Sequence, residues 1–283
     1  MGTVHIGVSG WRYPHWRGAF YPAGLAQRRE LEHASRRFSS VELDGSFYSL
    51  QRPSSYVAWR DATPPGFVFA VKGGRYVTHL KRLRDVRAPL ANFFASGVLA
   101  LGDRLGPVLW QLPERQACDL GVLEQFLDLL PRSTAAAARL AREHDDKLRT
   151  PPWTDVDADR PVRHALEARH RSFEDPAALR LLRERDVSLV VSEGAGRWPL
   201  LDHATARLVY VRLHGRTRLY ASGYAPRTLD EWARRVRGWH DDGHDVVVYL
   251  DNDGDAHAPH DALALARRLA DIAVPAASSP APP

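Results

Sequence analysis

Eight short apolar runs punctuate the chain, at residues 4–10, 40–44, 67–72, 107–112, 163–169, 187–191, 208–214 and 245–250. Each ends in polar or glycine-rich residues. Stretches of helical period lie between them, near 28–37, 54–62, 119–130, 176–185, 228–240 and 262–272. Another helix is expected to open near Pro89. Eight alternations of strand and helix in one chain predict an α/β fold closed into a (β/α)8 barrel, the TIM-barrel architecture. Such barrels carry their chemistry at the C-terminal ends of the strands.

Local signals sharpen the boundaries. Thr63-Pro64-Pro65-Gly66 breaks the chain before the third strand, and Asp175-Pro176 reads as a cap and first helical residue. Leu229, Trp232, Val236 and Trp239 share one face of the helix before the last strand. Between the fourth and fifth strands lies a long helical insertion, 131–161, with a charged helix expected over 135–149 and a loop after it. A surface excursion is the first expectation for it, with a lid or an oligomer contact as alternatives. Residues 1–273 read as one barrel domain, and 274–283 as a disordered tail rich in Pro, Ala and Ser.

Composition adds little to this picture. The chain has 283 residues and a net charge of +5. That bias permits an anionic ligand or a nucleic acid without demanding either. Lys72, Lys81 and Lys147 are the only lysines, so the positive charge is almost all arginine. The single Cys118 excludes an internal disulfide. A strand begins within a few residues of the N-terminus, with no signal-peptide pattern and no apolar stretch of membrane-span length. A cytoplasmic protein without a membrane partner is expected.

Period-two counting nominates the site. Arg212 and His214 share one strand face, as do Glu42 with Asp44 and Glu167 with Arg169. Lys72 ends the third strand, Gln111 the fourth, and Asn252 and Asp253 follow the eighth. Ionisable groups converging on one rim point to a polar ligand site rather than to barrel packing, because buried ion networks rarely gain stability over apolar packing. Glu42 and Glu167 are the candidate acid/base pair and Lys72 a base or electrostatic stabiliser. Arg169, Arg212 and His214 suit an anion. Trp11, Tyr13 and Tyr48 suit a flat platform, and Asp44, Gln111, Asn252 and Asp253 complete the set of substrate contacts. No nucleotide-cofactor motif appears. A divalent metal is conceivable around Asp251-Asn252-Asp253 but is not favoured. A calcium loop there fails, with Ala256 where the turn needs glycine and Ala262 where it needs an acid.

The chain resembles the YecE-like family of uncharacterised proteins, known as domain of unknown function 72. The matching pieces begin with Gly7-Val8-Ser9-Gly10-Trp11, Trp16-Arg17-Gly18 and Phe20-Tyr21-Pro22. They continue through Val41-Glu42-Leu43-Asp44-Gly45-Ser46-Phe47-Tyr48, Phe69-Ala70-Val71-Lys72 and residues 105–113. Glu167-Ala168-Arg169-His170, Tyr210-Val211-Arg212-Leu213-His214-Gly215, Asn252-Asp253 and His257-Ala258-Pro259 complete them. The resemblance implies a TIM barrel and brings no established activity with it. This chain has Asp44 and Asp251 where the family usually carries Asn, and Phe173 where it carries Trp. Two of these departures add negative charge to the rim.

Three functions fit the sequence. The first is an enzyme, a hydrolase or lyase, acting on a small anionic or polyhydroxylated, sugar-like substrate. The second is a nucleic-acid-binding or phosphodiester-cleaving protein, comparable to barrel repair enzymes such as endonuclease IV. The third is a non-catalytic ligand-binding protein. Fold alone separates none of them.

Overall fold

A computed structural model describes residues 2–277. Its strands are parallel and buried on both faces, as apolar runs flanked by helices require. They are β1 Val4–Ser9, β2 Ser40–Leu43, β3 Val68–Lys72, β4 Leu105–Gln111, β5 His164–Glu167, β6 Val187–Leu189, β7 Val191–Glu193, β8 Leu208–Leu213 and β9 Asp245–Leu250. The helices are α1 Glu30–Ser35, α2 Gly45–Tyr48, α3 Pro53–Asp61, α4 Arg87–Ala95, α5 Leu120–Leu129, α6 Thr134–Ala141, α7 Pro176–Glu184, α8 Pro226–Asp241 and α9 His257–Arg268.

The sheet runs β6-β5-β4-β3-β2-β1-β9-β8-β7. The sixth expected strand is β6 and β7 together, interrupted at Val190 and extended to Glu193. Its first half pairs with β5 and its second half with β8, so this one run closes the ring. The interruption falls where the strand changes partner: the Val190 amide still donates to Leu166 O at 3.0 Å.

Two apolar cores follow from strands with two buried faces. The larger lies between strands and helices. The smaller fills the axis with Ala70, Leu109, Ala165, Val190, Leu208, Tyr210, Val247 and Tyr249. Alanines on one side leave room for two tyrosines on the other, whose rings meet at 5.3 Å. Gly7 is required where β1 passes β2, since a Cβ there would stand 1.9 Å from Ser40 O.

Two helices depart from expectation. α6 stops at Ala141, short of the 135–149 helix, because buried Asn92 captures Asp145. The Asn92 amide donates to the Asp145 carboxylate at 2.7 Å and its oxygen accepts from the Asp145 amide at 3.0 Å. The rest of the insertion is tied to α4, with Trp153 N donating to Ala95 O at 2.8 Å and Arg87 bonded twice to Glu143. It therefore lies along a flank of the barrel. α9 begins at His257 and ends at Arg268, earlier than expected at both ends. The Val274 amide donates to Val4 O at 2.8 Å, so the first residue of the expected tail is bonded to β1. Residues 278–283 of that tail lie outside the described residues. Among the described residues no helix is long and apolar enough to cross a membrane.

Candidate functional site

Above the apolar axis, the next inward position of each strand is polar: Ser9, Glu42, Lys72, Gln111, Glu167, Ser192, Arg212 and Asp251. Strand periodicity puts them in one layer, two residues beyond the apolar one. Arg212, 1% exposed, is the hub. Its Nε donates to Glu42 Oε2 at 3.0 Å and its Nη2 to Glu42 Oε1 at 2.7 Å and Asp251 Oδ2 at 2.8 Å. Its Nη1 reaches Glu167 Oε2 at 2.8 Å and His214 Nε2 at 2.8 Å. A guanidinium has five N–H groups, and all five are engaged.

The two candidate acid/base glutamates are saturated as well. Glu42 also accepts from Ser9 Oγ at 2.6 Å and from Tyr210 OH at 2.5 Å. Glu167 Oε1 accepts from Arg169 Nε at 2.8 Å and Ser192 Oγ at 3.0 Å. Burial opposes their charge. It is outweighed by Arg212 and Lys72 at Glu42, and by Arg169 and Arg212 at Glu167, so both carboxyls are held below the usual range. Asp251 follows the same pattern, with burial outweighed chiefly by Arg212. Three carboxylates held ionised at neutral pH make an electrostatic base, not a proton shuttle.

Asp44 behaves differently. It follows β2 directly, as the residue before α2, and burial pushes its carboxyl up to about 7, with Lys72 opposing and Glu42 and Asp251 adding to the shift. Ser9 Oγ stands 2.6 Å from both Glu42 Oε1 and Asp44 Oδ2. A hydroxyl has one proton, and Glu42 is ionised, so the second short contact is satisfied when Asp44 carries a proton and donates it. Charge balance agrees. With Asp44 neutral, Glu42, Glu167 and Asp251 face Arg169, Arg212 and Lys72, three against three. The second Asp44 oxygen has no hydrogen-bond partner and lies 3.5 Å from Lys72 Nζ.

Lys72 is the least committed cation of the layer. It has that one long ion pair and the face of Phe47, 4.7 Å away. The expected anion contacts Arg169, Arg212 and His214 are turned inward instead. Arg169 lies on Trp198 at 3.7 Å while bonded to Glu167. His214 is held between Arg212 and the Glu193 carbonyl, and since a carbonyl only accepts, its Nδ1 carries a proton.

A cleft of about 250 Å³ opens beside this layer, lined by Trp11, Tyr13, Asp44, Gln51 and Trp59. Trp11 and Trp59 meet edge to face at 5.6 Å. Tyr13 donates to Ser9 O at 2.8 Å, and Arg12 packs over Trp11. Asp44 keeps 24% of its side-chain surface exposed, enough to be reached from this cleft. Burial together with Asp251 pushes Asp253 up to about 6. The Asp253 carbonyl accepts from His15 and from Trp16 Nε1, which ties the first loop to the last strand.

Two expected contacts lie elsewhere. Tyr48 is 72% exposed and does not line the cleft, because α2 turns its last residue outward. Asn252 takes the opposite strand face from Asp251. Its Nδ2 donates to Ser222 O and Asp261, joining the β8–α8 loop to α9. Gln111 ends β4 in register with Glu167. Among the described residues no group of three or more His, Cys, Asp or Glu is placed to hold a metal, since the carboxylates converge on Arg212. Sequence reasoning missed Ser9, Tyr210, Ser192 and Asp251 as partners, although extending the same period-two count along β1, β7, β8 and β9 finds each of them.

Known proteins place this architecture. The profile of the family described as "Protein of unknown function DUF72" matches residues 5–283. The UPF0759 protein YunF of Bacillus subtilis (strain 168) is 24% identical over 288 residues, covering 89% of this chain and 90% of that protein. The UPF0759 protein YecE of Escherichia coli (strain K12) is 30% identical over 129 residues, 45% of this chain, and the match spans 44% of YecE, less than half its length. A solved DUF72 family protein from Thermotoga maritima MSB8 superposes with a TM-score of 0.76 at 23% identity, over 95% of this chain and 99% of that one, a likeness of fold. With its profile matched almost end to end, the chain belongs to the DUF72 family.

Proposed function

We propose that this protein is an enzyme performing general acid/base chemistry, hydrolysis or elimination, on a polyhydroxylated, sugar-like substrate bound at the strand ends. The observation that carries this reading is the chain Asp44–Ser9–Glu42, two contacts of 2.6 Å that join an ionised glutamate to a carboxyl beside an aromatic-walled cleft. A carboxyl that titrates near neutral pH is suited to give and take protons there. Asp44 is the acid in this reading. Lys72 stabilises negative charge developing on the substrate oxygen, and Trp11 and Tyr13 form the platform. Glu42 and Glu167 hold the field in place without moving protons. A neutral polyol is favoured over a strong anion because the arginines of the layer are already engaged by carboxylates.

The test is a thermal-shift and turnover screen of wild type, Asp44→Asn and Lys72→Ala against neutral oligosaccharides, polyols and sugar acids at about 0.15 M salt. A ligand of the native state raises the melting midpoint. The expected result is a shift with a neutral sugar that both folded variants lose, and turnover that falls above pH 7 as Asp44 gives up its proton. A shift kept in full by both variants, or none with any sugar, sinks the reading.

A further inference from the structure

A second cavity, of about 240 Å³, lies outside the barrel axis, between the loop that follows β3 and the loop that follows β4. Arg82, Arg84 and Arg115 line it, with Phe173 behind. Residues 75–87 carry Arg75, Lys81, Arg82, Arg84 and Arg87 against Asp85 alone, a net of +4 on a chain whose total is +5. It is a dense run of positive charge, of which Arg84 and Arg87 are paired with Asp119 and Glu143.

The loop is built to present these side chains. Leu83 is buried, 4% exposed, and its amide donates to Val77 O at 3.0 Å. Anchoring it forces Arg82 and Leu83 into the left-handed region, at φ 49° and 71°, and Asp85 follows at 49°. Non-glycine residues pay a conformational cost there, and such conformations cluster at ligand clamps. The consequence is that Arg82 and Arg84 flank the buried Leu83 and both line the cavity.

The donors are only partly used. Arg84 Nη2 donates to Asp119 Oδ2 at 2.8 Å, while Asp119 Oδ1 caps α5 through the Val122 amide. Among the described residues Arg82 and Arg115 have no ion pair or side-chain hydrogen bond. Asp119 is the one acid lining the cavity, so three guanidiniums against one carboxylate leave it doubly positive. Gln116 Oε1, buried and without a partner, lines the same cavity and can accept a hydrogen from a ligand.

We infer that this cavity binds a phosphoryl group, with Arg82 and Arg115 as its free forks and Gln116 accepting from a protonated phosphoryl oxygen or a neighbouring hydroxyl. Paired guanidiniums match the oxygens of a phosphoryl group, and two unpaired forks supply the charge it needs. The site does not depend on Asp44 or Lys72 and stands apart from the reaction proposed above.

The test is calorimetric titration of the full chain with inorganic phosphate at low salt. It compares wild type, Arg82→Gln/Arg115→Gln, and the control Arg28→Gln/Arg37→Gln, which removes the same charge elsewhere. The site variant is expected to lose about tenfold or more in affinity and the control to stay within about twofold, where tenfold corresponds to about 1.4 kcal/mol. Equal losses in both variants, or no phosphate binding by wild type, overturns the proposal. Two further arms identify the source of the group once phosphate binding is lost selectively. Glycerol phosphate competing with phosphate points to a small ester. A short oligonucleotide competing with steep salt dependence points to a nucleic-acid backbone.

Discussion

At the barrel axis Arg212 is buried and every one of its N–H groups meets an acceptor. On the rim, Arg82 and Arg115 are exposed and meet none among the described residues. The same side chain serves opposite ends. Saturated, it fixes the positions and charges of three carboxylates. Unsaturated, it leaves its donors available. Asp44 and Lys72 stand between these extremes, inside the layer yet without full sets of partners. Within one charged rim, unused hydrogen-bonding capacity marks off the groups proposed here to face ligands from those locked into the layer more clearly than charge or burial does.

The hardest test of that contrast is Arg212→Met. Glu42, Glu167 and Asp251 would then face one another without their shared cation. Removing one partner of a buried network costs about 3–5 kcal/mol, to be read by urea unfolding at pH 7. The loss is expected to shrink at lower pH, because the stranded carboxyls then have raised folded pKa values, and such groups stabilise the fold below their unfolded pKa. A variant as stable as wild type at pH 7 would remove the hub.

Tyr210→Phe removes one donor from ionised Glu42, and about 1.5–3 kcal/mol is expected for a hydrogen bond to a charged group. The same variant made in an Asp44→Asn background should cost about the same, since Tyr210 acts on Glu42 directly. Strong non-additivity in a double-mutant cycle would mean that the relay is one unit.

Asp44→Asn probes the intermediate case through pH. Asp44 has a folded pKa near 7, above its unfolded value near 4, so its contribution is complete below about pH 4 and is lost as pH rises through 7. Asp253, near 6, has the same sign. Glu42, Glu167 and Asp251 have the opposite sign, with stability lost as pH falls below about 4. Wild type should therefore be most stable in mildly acid solution. At pH 8, Asp44→Asn should gain on the order of 1–2 kcal/mol over wild type, and the difference should close only by about pH 4. Identical pH profiles for the two proteins would place the Asp44 titration outside this window.

The smallest effect belongs to the other end of the comparison. Arg82→Gln/Arg115→Gln should leave stability within about 0.5 kcal/mol, since neither side chain has a partner to lose. A larger loss of denaturant midpoint would make these arginines structural.

Much of the site was legible in the chain. Alternation along each strand places Glu42, Lys72, Gln111, Glu167 and Arg212 on inward faces, and the structure keeps them there, with Asp44 just past the end of β2. The same alternation separates Asp251 from Asn252, yet the sequence points to Asn252, because a polar turn hides where the strand period ends. Tyr48 stands away from the cleft for a related reason: α2 is four residues long, too short for helical period to fix its faces. The roles were less legible than the positions. Glu42 and Glu167 look alike as acid/base candidates until their partners, Arg212 and Arg169, are seen. Arg82 and Arg115 are two arginines among many until the loop that presents them is in place.

What the sequence by itself determined is the barrel, its strand count to within one interruption, and the layer of polar residues that closes the axis, because each follows from local periodicity. Only the tertiary structure decided which charges cancel. Arg212 meets Glu42 from 170 residues away, and burial, against the pull of Lys72, pushes the Asp44 carboxyl up with the help of Glu42 and distant Asp251. Electrostatics depends on distances in space and on exclusion of water, and neither is written in the spacing of residues along a chain.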